Sequence, residues 1–192
     1  MKILHEQTDE NHALTVADIA KELAAYDIIV ERKTIYDDLE ELQLFGLDIE
    51  KTRIGHANGY YIASRTFELP ELKLLVDAVQ ASKFISTKKS KVLIDKLSAL
   101  TSVHQSDELN RQLHVDKQVK SNNEAIYYTV DLLHSAINAK MQVEFKYYEY
   151  NQHKKKVYKH NGKVYVFSPY GLIWNNDSYY VIGYCTSHDK II

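Results

Sequence analysis

Residues 15–59 read TVADIAKELAAYDIIVERKTIYDDLEELQLFGLDIEKTRIGHANG. Thr15 and Asp18 stand at the spacing of a capping box, in which hydroxyl and carboxylate satisfy each other's orphan backbone donors, so a helix is expected from Val16. Val16, Ile19, Ala20 and Leu23 follow at i, i+3, i+4 and i+7, one apolar stripe facing a core. A break falls at Tyr26-Asp27. A second helical run then sets Ile35, Leu39 and Leu42 inward and Lys33, Tyr36, Asp37, Glu40 and Glu41 outward. Gly46 is its expected C-cap. Leu47 to Ile62 reads as a hairpin with Ile49, Ile54, Tyr60 and Ile62 as apolar positions and Asn58-Gly59 as its turn.

Two helices, a turn and a hairpin in this order predict a winged helix-turn-helix, whose second helix lies in the DNA major groove. Residues 32–42, RKTIYDDLEEL, resemble the recognition helix of the WYL-domain transcriptional regulators, where a basic pair is followed by Thr, an aliphatic residue, Tyr, Arg and Asp. Asp37 stands where the family has arginine, which removes one phosphate or base contact. The resemblance implies contacts to double-stranded DNA from Arg32, Lys33, Thr34 and Tyr36. Lys51, Arg53 and His56 lie on or near the wing tip, where phosphates are commonly met; a solvated hairpin with scattered charge is the other reading of those three.

Charge is distributed against this reading. Of 192 residues, 45% are hydrophobic and 26% charged, ordinary for a soluble globular protein, and the net charge is −2. Residues 1–63, however, carry six basic and thirteen acidic groups, net −7, while 64–124 carry +2 and 125–192 carry +3. Non-specific phosphate affinity comes from Lys and Arg releasing counterions, so the first segment is expected to bind DNA weakly alone and to lean on dimerisation or specific contacts. No run approaches the roughly 18 apolar residues of a membrane span and the start lacks the apolar core of a secretory peptide, so a cytoplasmic protein is expected. Cys185 is the single cysteine, which leaves no internal disulfide and no thiolate cluster; its strand context predicts a buried small hydrophobe.

Outward from this stretch, Ile3 and Leu4 are assigned to a short first helix. After the wing, Pro70 suits a first helical turn, and Leu72, Leu75, Val76 and Val79 form a stripe. A further helix carries Val92, Leu93, Leu97 and Leu100 behind Ser86-Thr87, with Lys88, Lys89 and Lys91 as a solvated face. Residues 67–75, FELPELKLL, resemble the connector after the wing in the same regulators, which implies a role in dimers; packing on their own chain is the other reading. Residues 102–123 are polar, with Leu113, Val115 and Val119 as apolar points, and read as an extended linker with one short strand. Ser121 to Glu124 is a second capping box, and Ile126, Tyr127, Val130, Leu133, His134 and Ile137 are the expected buried stripe of the next helix, His134 as a core or boundary residue. From Gln142 the period becomes two, and strands are expected at 143–150, 163–167, 170–174 and 179–185, with turns at Asn161-Gly162 and Asn175 to Asp177.

Eleven of the fifteen tyrosines fall between Tyr127 and Tyr184, with Trp174 among them. Flat amphipathic rings in such number suit a pocket for a planar ligand, and equally suit half-buried strand packing. Residues 168–174, SPYGLIW, followed by Tyr179-Tyr180-Val181, resemble the segment that names the WYL domain, an Sm-like β-barrel; here Tyr-Tyr-Val replaces Trp-Tyr-Leu. The resemblance implies an effector, nucleotide-like or nucleic acid, bound near Tyr170, Trp174, Tyr179 and Tyr180. It also implies a later arginine-containing strand, and since no residue follows Ile192 here, a barrel cut short in a fragment or truncated reading frame.

Catalytic patterns are weak: there is no phosphate-binding glycine loop, no paired histidines at helical spacing, and Ser187-His188-Asp189 reads as a polar turn. His153 and His160 flank a lysine run on an exposed hairpin. No enzyme activity, metal or cofactor is expected. The sequence thus predicts an α+β chain with a winged helix-turn-helix at 1–64, a helical connector and linker at 65–120, and at 121–192 a helix plus a partial Sm-like small β-barrel. The function expected is that of a homodimeric DNA-binding transcriptional regulator that senses an effector. The alternative is a ligand-binding or protein-interaction module whose acidic winged helix no longer reads DNA.

Overall fold

The Thr15 cap forms as its spacing demands. In the computed structural model, which describes residues 1–111, 120, 123, 125–153 and 155–192, the Asp18 amide donates to Thr15 Oγ1 and the Thr15 amide to Asp18 Oδ2. Among the described residues there are seven α-helices and antiparallel sheets, an α+β chain. It divides into two compact units, Met1–Ser82 with Thr87–Gln118, and Lys83–Ser86 with Val119–Ile192.

In the first unit, α1 (Lys2–Gln7), α2 (Val16–Ala24) and α3 (Arg32–Leu44) pack with a three-stranded sheet of order β1-β3-β2, where β1 is Leu14–Thr15, β2 Ile49–Ile54 and β3 Ala57–Ile62. Leu4, Val16, Ile19, Ile35, Leu39, Ile49, Tyr60 and Ile62 are its core. Burying such aliphatic side chains is worth about 1.5–3 kcal/mol each, so this cluster decides the fold of the unit. After α3 the chain leaves through Gly46, with the Gly46 amide on the Gln43 carbonyl and the Leu47 amide on that of Leu42, which satisfies carbonyls the helix end would otherwise orphan.

The hairpin turn is not at Asn58-Gly59. Ile54 pairs with Ala57, so the two-residue loop is Gly55-His56, with Gly55 at φ 60, while Gly59 sits inside β3 opposite Thr52 and Thr15. Both Asn-Gly and Gly-X satisfy a two-residue turn locally, and the register that buries Ile49, Tyr60 and Ile62 selects Gly-X.

Among the described residues three more helices belong to this unit: α4 (Leu69–Ala81), α5 (Thr87–Ser98) and α6 (Val103–Arg111). In α4 Pro70 stands in the first turn, and Leu72 and Val76 are buried while Leu75 is exposed. In α5 the buried positions are Ser90, Ile94 and Ser98, four apart; Val92 and Leu100 of the expected stripe are exposed. The linker expected from residue 102 begins instead with α6. Ser102 caps it, its Oγ accepting from the Gln105 amide, and Leu109 is buried. Ser102 Oγ also donates to Asp9 Oδ2 at 2.5 Å, and Asp9 Oδ1 accepts from His12 Nδ1 at 2.7 Å and the Asn11 amide at 3.0 Å. Residues 93 positions apart are thereby joined at a carboxylate only 1% exposed. Leu113, Val115, Val119 and the Ser121 to Glu124 capping box lie outside the described residues.

In the second unit α7 (Ile126–Asn138) packs on the longest strand of a four-stranded antiparallel sheet of order β4-β7-β8-β9. These strands are Val143–Phe145, Tyr165–Asn175, Ser178–Cys185 and Lys190–Ile191. Ala136 is buried and Ile126, Val130, Leu133 and Ile137 are half-buried; Tyr127 and His134, assigned to that stripe from the sequence, are exposed. The segment expected as two strands, 163–167 and 170–174, is the single β7, which passes through Pro169 and a bulge at Tyr170. The one strand expected over 143–150 is two, β4 and then β5 (Tyr148–Tyr150), which leaves the main sheet to pair with β6 (Lys156–Tyr158) in a separate hairpin. Asn176 and Asp177, both at positive φ, turn β7 into β8. Cys185 is buried among Tyr165 and Phe167, as expected.

Candidate functional site

The bulge governs the aromatic face. Tyr165, Phe167 and Pro169 share one side of β7, and a regular strand would continue that side to Gly171 and Ile173. One extra residue at Tyr170 shifts the parity, so Leu172 and Trp174 take over, paired with Val181 and Tyr179. Trp174 and Tyr179 meet edge to face at 4.7 Å between centroids, and Phe84 stands edge-on to both at 5.7 and 5.1 Å. Beside them, between α7 and the sheet, is a cavity of about 560 Å³ floored by Ile126, Val130 and Leu133 and edged by Phe84, Tyr179 and Val181. Lys83, Lys120 and Asp177 border it; Lys83 Nζ is 4.0 Å from Asp177 Oδ2, and burial pulls the Lys120 ammonium below the usual lysine range. The result is an apolar slot with an aromatic wall, its rim carrying two lysines and an aspartate.

Of the four residues proposed from the sequence for an effector, the structure brings Trp174 and Tyr179 together and separates the rest. Tyr180 faces the other side of the sheet, opposite Ile173. Tyr170, in the bulge, is 59% exposed and lies near Tyr184. The Tyr184 phenol donates to Asp189 Oδ1, which holds it above the usual tyrosine range. Sequence reasoning misses Phe84. Its signal is an aromatic-aliphatic pair, Phe84-Ile85, in an otherwise polar interhelical loop.

In the first unit Arg32, Lys33 and Thr34 occupy the first turn of α3, exposed to solvent. Tyr36 stands edge-on to Tyr60, centroids 6.4 Å apart, and Lys51 Nζ lies 5.7 Å over the same Tyr60 ring from the neighbouring strand. Burial, reinforced by Tyr36, pushes the Tyr60 phenol above its usual range. Arg53 Nη1 donates to Asn58 Oδ1 at 2.9 Å, which fixes its guanidinium near the hairpin end, with His56 in the turn itself. Tyr36, Lys51 and Arg53 thus share the side of the hairpin that carries Tyr60, and Tyr36 follows Arg32 by one turn of α3. Four carboxylates, Asp37, Asp38, Glu40 and Glu41, are exposed further along the same helix.

Ser187, His188 and Asp189 lie in the turn before β9, as expected. Ser102, Asp9 and His12 do touch, but the carboxylate is the middle member, so no imidazole reaches the hydroxyl to act as its base. Among the described residues no three His, Cys, Asp or Glu side chains are placed to hold a metal ion, and no helix is long and apolar enough to cross a membrane.

An α+β chain with a helix-and-hairpin unit and an aromatic-walled β unit is the class these features define. Residues 128–192 match the family model of the WYL domain. A similar solved structure is proteasome accessory factor B/C (PafBC) of Arthrobacter aurescens, 17% identical with a TM-score of 0.28. That match covers 93% of this chain and 28% of the other, so the chain spans under a third of that protein's length. No curated protein matches the sequence.

Proposed function

We propose that the chain is a DNA-binding transcriptional regulator of the WYL type. In this reading Met1–Ile62 is a winged helix-turn-helix in which Arg32, Lys33, Thr34 and Tyr36 of α3, with Lys51 and Arg53 of the wing, contact double-stranded DNA. Residues 128–192 form an Sm-like effector module. Its ligand, nucleotide-like or a short nucleic acid, sits against Tyr179 in the slot beside α7, with Trp174 at its border; Tyr170 and Tyr180, on other parts of the sheet surface, take no part in it. A cytoplasmic homodimer, using exposed Leu74, Leu75 and Val92 of α4 and α5, gives the weakly basic reader two half-sites.

The observation that carries the reading is the continuity of Tyr36, Tyr60 and Lys51 beside an exposed basic first turn of α3, in one chain with a WYL match. The test is a salt titration of binding to duplex DNA. With Arg32, Lys33, Lys51 and Arg53 on phosphates, log K is expected to fall against log salt with a slope of about −3 to −4 per chain. Binding without that slope, or none, refutes it. A second reading is favoured by the −7 charge of residues 1–63: the acidic winged helix serves as a protein-interaction surface and the β module remains the ligand-binding part.

A further inference from the structure

Rotation about α3 separates two flanks. Tyr36 touches Tyr60 and Gln43 Nε2 donates to the Ile49 carbonyl, so these residues mark the sheet side. At about 100° per residue, Asp38, Glu41 and Phe45 fall on the opposite flank. There Met1, Leu42, Leu44 and Phe45 floor a shallow groove of about 600 Å³ rimmed by Asp38 and Glu41. Leu44 is 81% and Phe45 77% exposed, an adjacent pair of large apolar side chains left in water at the end of a helix. Scattered exposed leucines need no explanation, whereas a contiguous apolar patch with a charged rim marks a binding surface.

We propose that this flank is a docking surface for a basic amphipathic helix of another protein. Charge complementarity selects the occupant. Among the described residues Asp37, Asp38, Glu40 and Glu41 have no ion-pair partner, and the last turn of α3 carries no basic residue, so the negative end of the helix dipole adds to the same field. A helix fits better than a strand, because the groove is walled by side chains of α3 and offers no unpaired strand edge; apolar anchors at i, i+3 and i+7 would meet Met1, Leu44 and Phe45 while lysines or arginines beside them meet Asp38 and Glu41. The surface stands apart from the DNA contacts proposed above and does not depend on them.

The probe is a fluorescein-labelled Leu/Lys amphipathic helix of about five turns, titrated with the full chain and read by anisotropy, with its Leu/Glu counterpart as control. The Leu/Lys peptide is expected to bind saturably and the Leu/Glu peptide not to bind. Asp38→Lys with Glu41→Lys, and separately Leu44→Gln with Phe45→Gln, are each expected to weaken binding by about tenfold or more. All four side chains are exposed, so unchanged ellipticity and melting confirm that the variants fold. Peptide binding indifferent to both pairs overturns the proposal. So does self-association of the chain abolished by the Leu44/Phe45 pair, which makes a second copy the occupant. Duplex DNA binding by that apolar pair is expected to match wild type, so a failure here is distinct from a failure of the DNA reading.

Discussion

Asp9→Ala is expected to release α6 from the segment between α1 and β1, and the size of the effect follows from the hydrogen bonds that end on the Asp9 carboxylate. Ser102 Oγ donates to a carboxylate 1% exposed, and Ser102 itself is fully buried, so this charge-assisted bond is worth about 2 kcal/mol. His12 is half-exposed, and its bond to Asp9 adds about 0.5–1 kcal/mol. The sum is about 3 kcal/mol, a large share of the roughly 5–15 kcal/mol that holds a domain. Urea unfolding followed at 222 nm measures it, because six of the seven described helices belong to this unit. A double-mutant cycle with Ser102→Ala isolates the shared bond, with an expected coupling of about 1.5–2 kcal/mol. Additivity within about 0.5 kcal/mol would refute the reasoning. pH gives an independent check. Burial pushes the Asp9 carboxyl up, but bonds from Ser102, His12 and the Asn11 amide outweigh it and leave its folded value below the usual range. A depressed folded value stabilises above the unfolded value of about 3.9 and is lost as pH falls through the folded value, so wild type is expected to lose an acid-side increment that Asp9→Asn never had.

Lys33→Ala is expected to weaken binding to all duplex sequences and to reduce the salt slope by about one contact, while Asp37→Arg raises general DNA affinity; both are read by fluorescence anisotropy across salt. Tyr179→Ala is expected to weaken nucleotide-induced quenching of Trp174 and Tyr180→Ala to leave it unchanged, since only Tyr179 shares a sheet face with Trp174; equal effects would remove the slot as the ligand site. Gly183→Ala places a Cβ about 2.1 Å from the Ser168 carbonyl oxygen and 2.6 Å from Phe167 Cζ, so β7 and β8 must part, and a loss of about 2–4 kcal/mol is expected in thermal or urea unfolding.

Much of the first unit is legible in the sequence because its signals are local. The Thr15 capping box, the Ile35–Leu39 stripe and the Gly46 exit each follow from residues within two turns of one another. Features that depend on partners distant in sequence are not. Asn58-Gly59 is the stronger turn dipeptide, yet the pairing that buries Tyr60 and Ile62 moves the turn to Gly55-His56. Helix α6 escapes a reading by apolar periodicity because its surface is polar, although Ser102-Val-His-Gln105 has the spacing of a capped helix start. The aromatic site is half legible. The resemblance at 168–181 names Tyr170, Trp174, Tyr179 and Tyr180 together, but which of them meet rests on one unpaired residue at Tyr170, and Phe84 arrives from a segment some ninety positions before Trp174.

The charge pattern of α3 bears on both readings of the first unit. Its first turn offers Arg32 and Lys33 at the positive end of the helix dipole, where anions are favoured by about 0.3–1 kcal/mol each. Beyond Tyr36 the exposed charged side chains are Asp37, Asp38, Glu40 and Glu41, toward the negative end. A helix laid flat along the major groove would bring those carboxylates against phosphate, with only an acceptor role at cytosine amino groups to offset the repulsion. Entry by the N-terminal turn alone, with Lys51 and Arg53 gripping the neighbouring backbone, keeps the cations on the duplex and turns Asp38, Glu41 and Phe45 away from it. In the proposed DNA reading, the same partition that makes for weak phosphate affinity therefore leaves an acidic, apolar flank accessible to a protein partner.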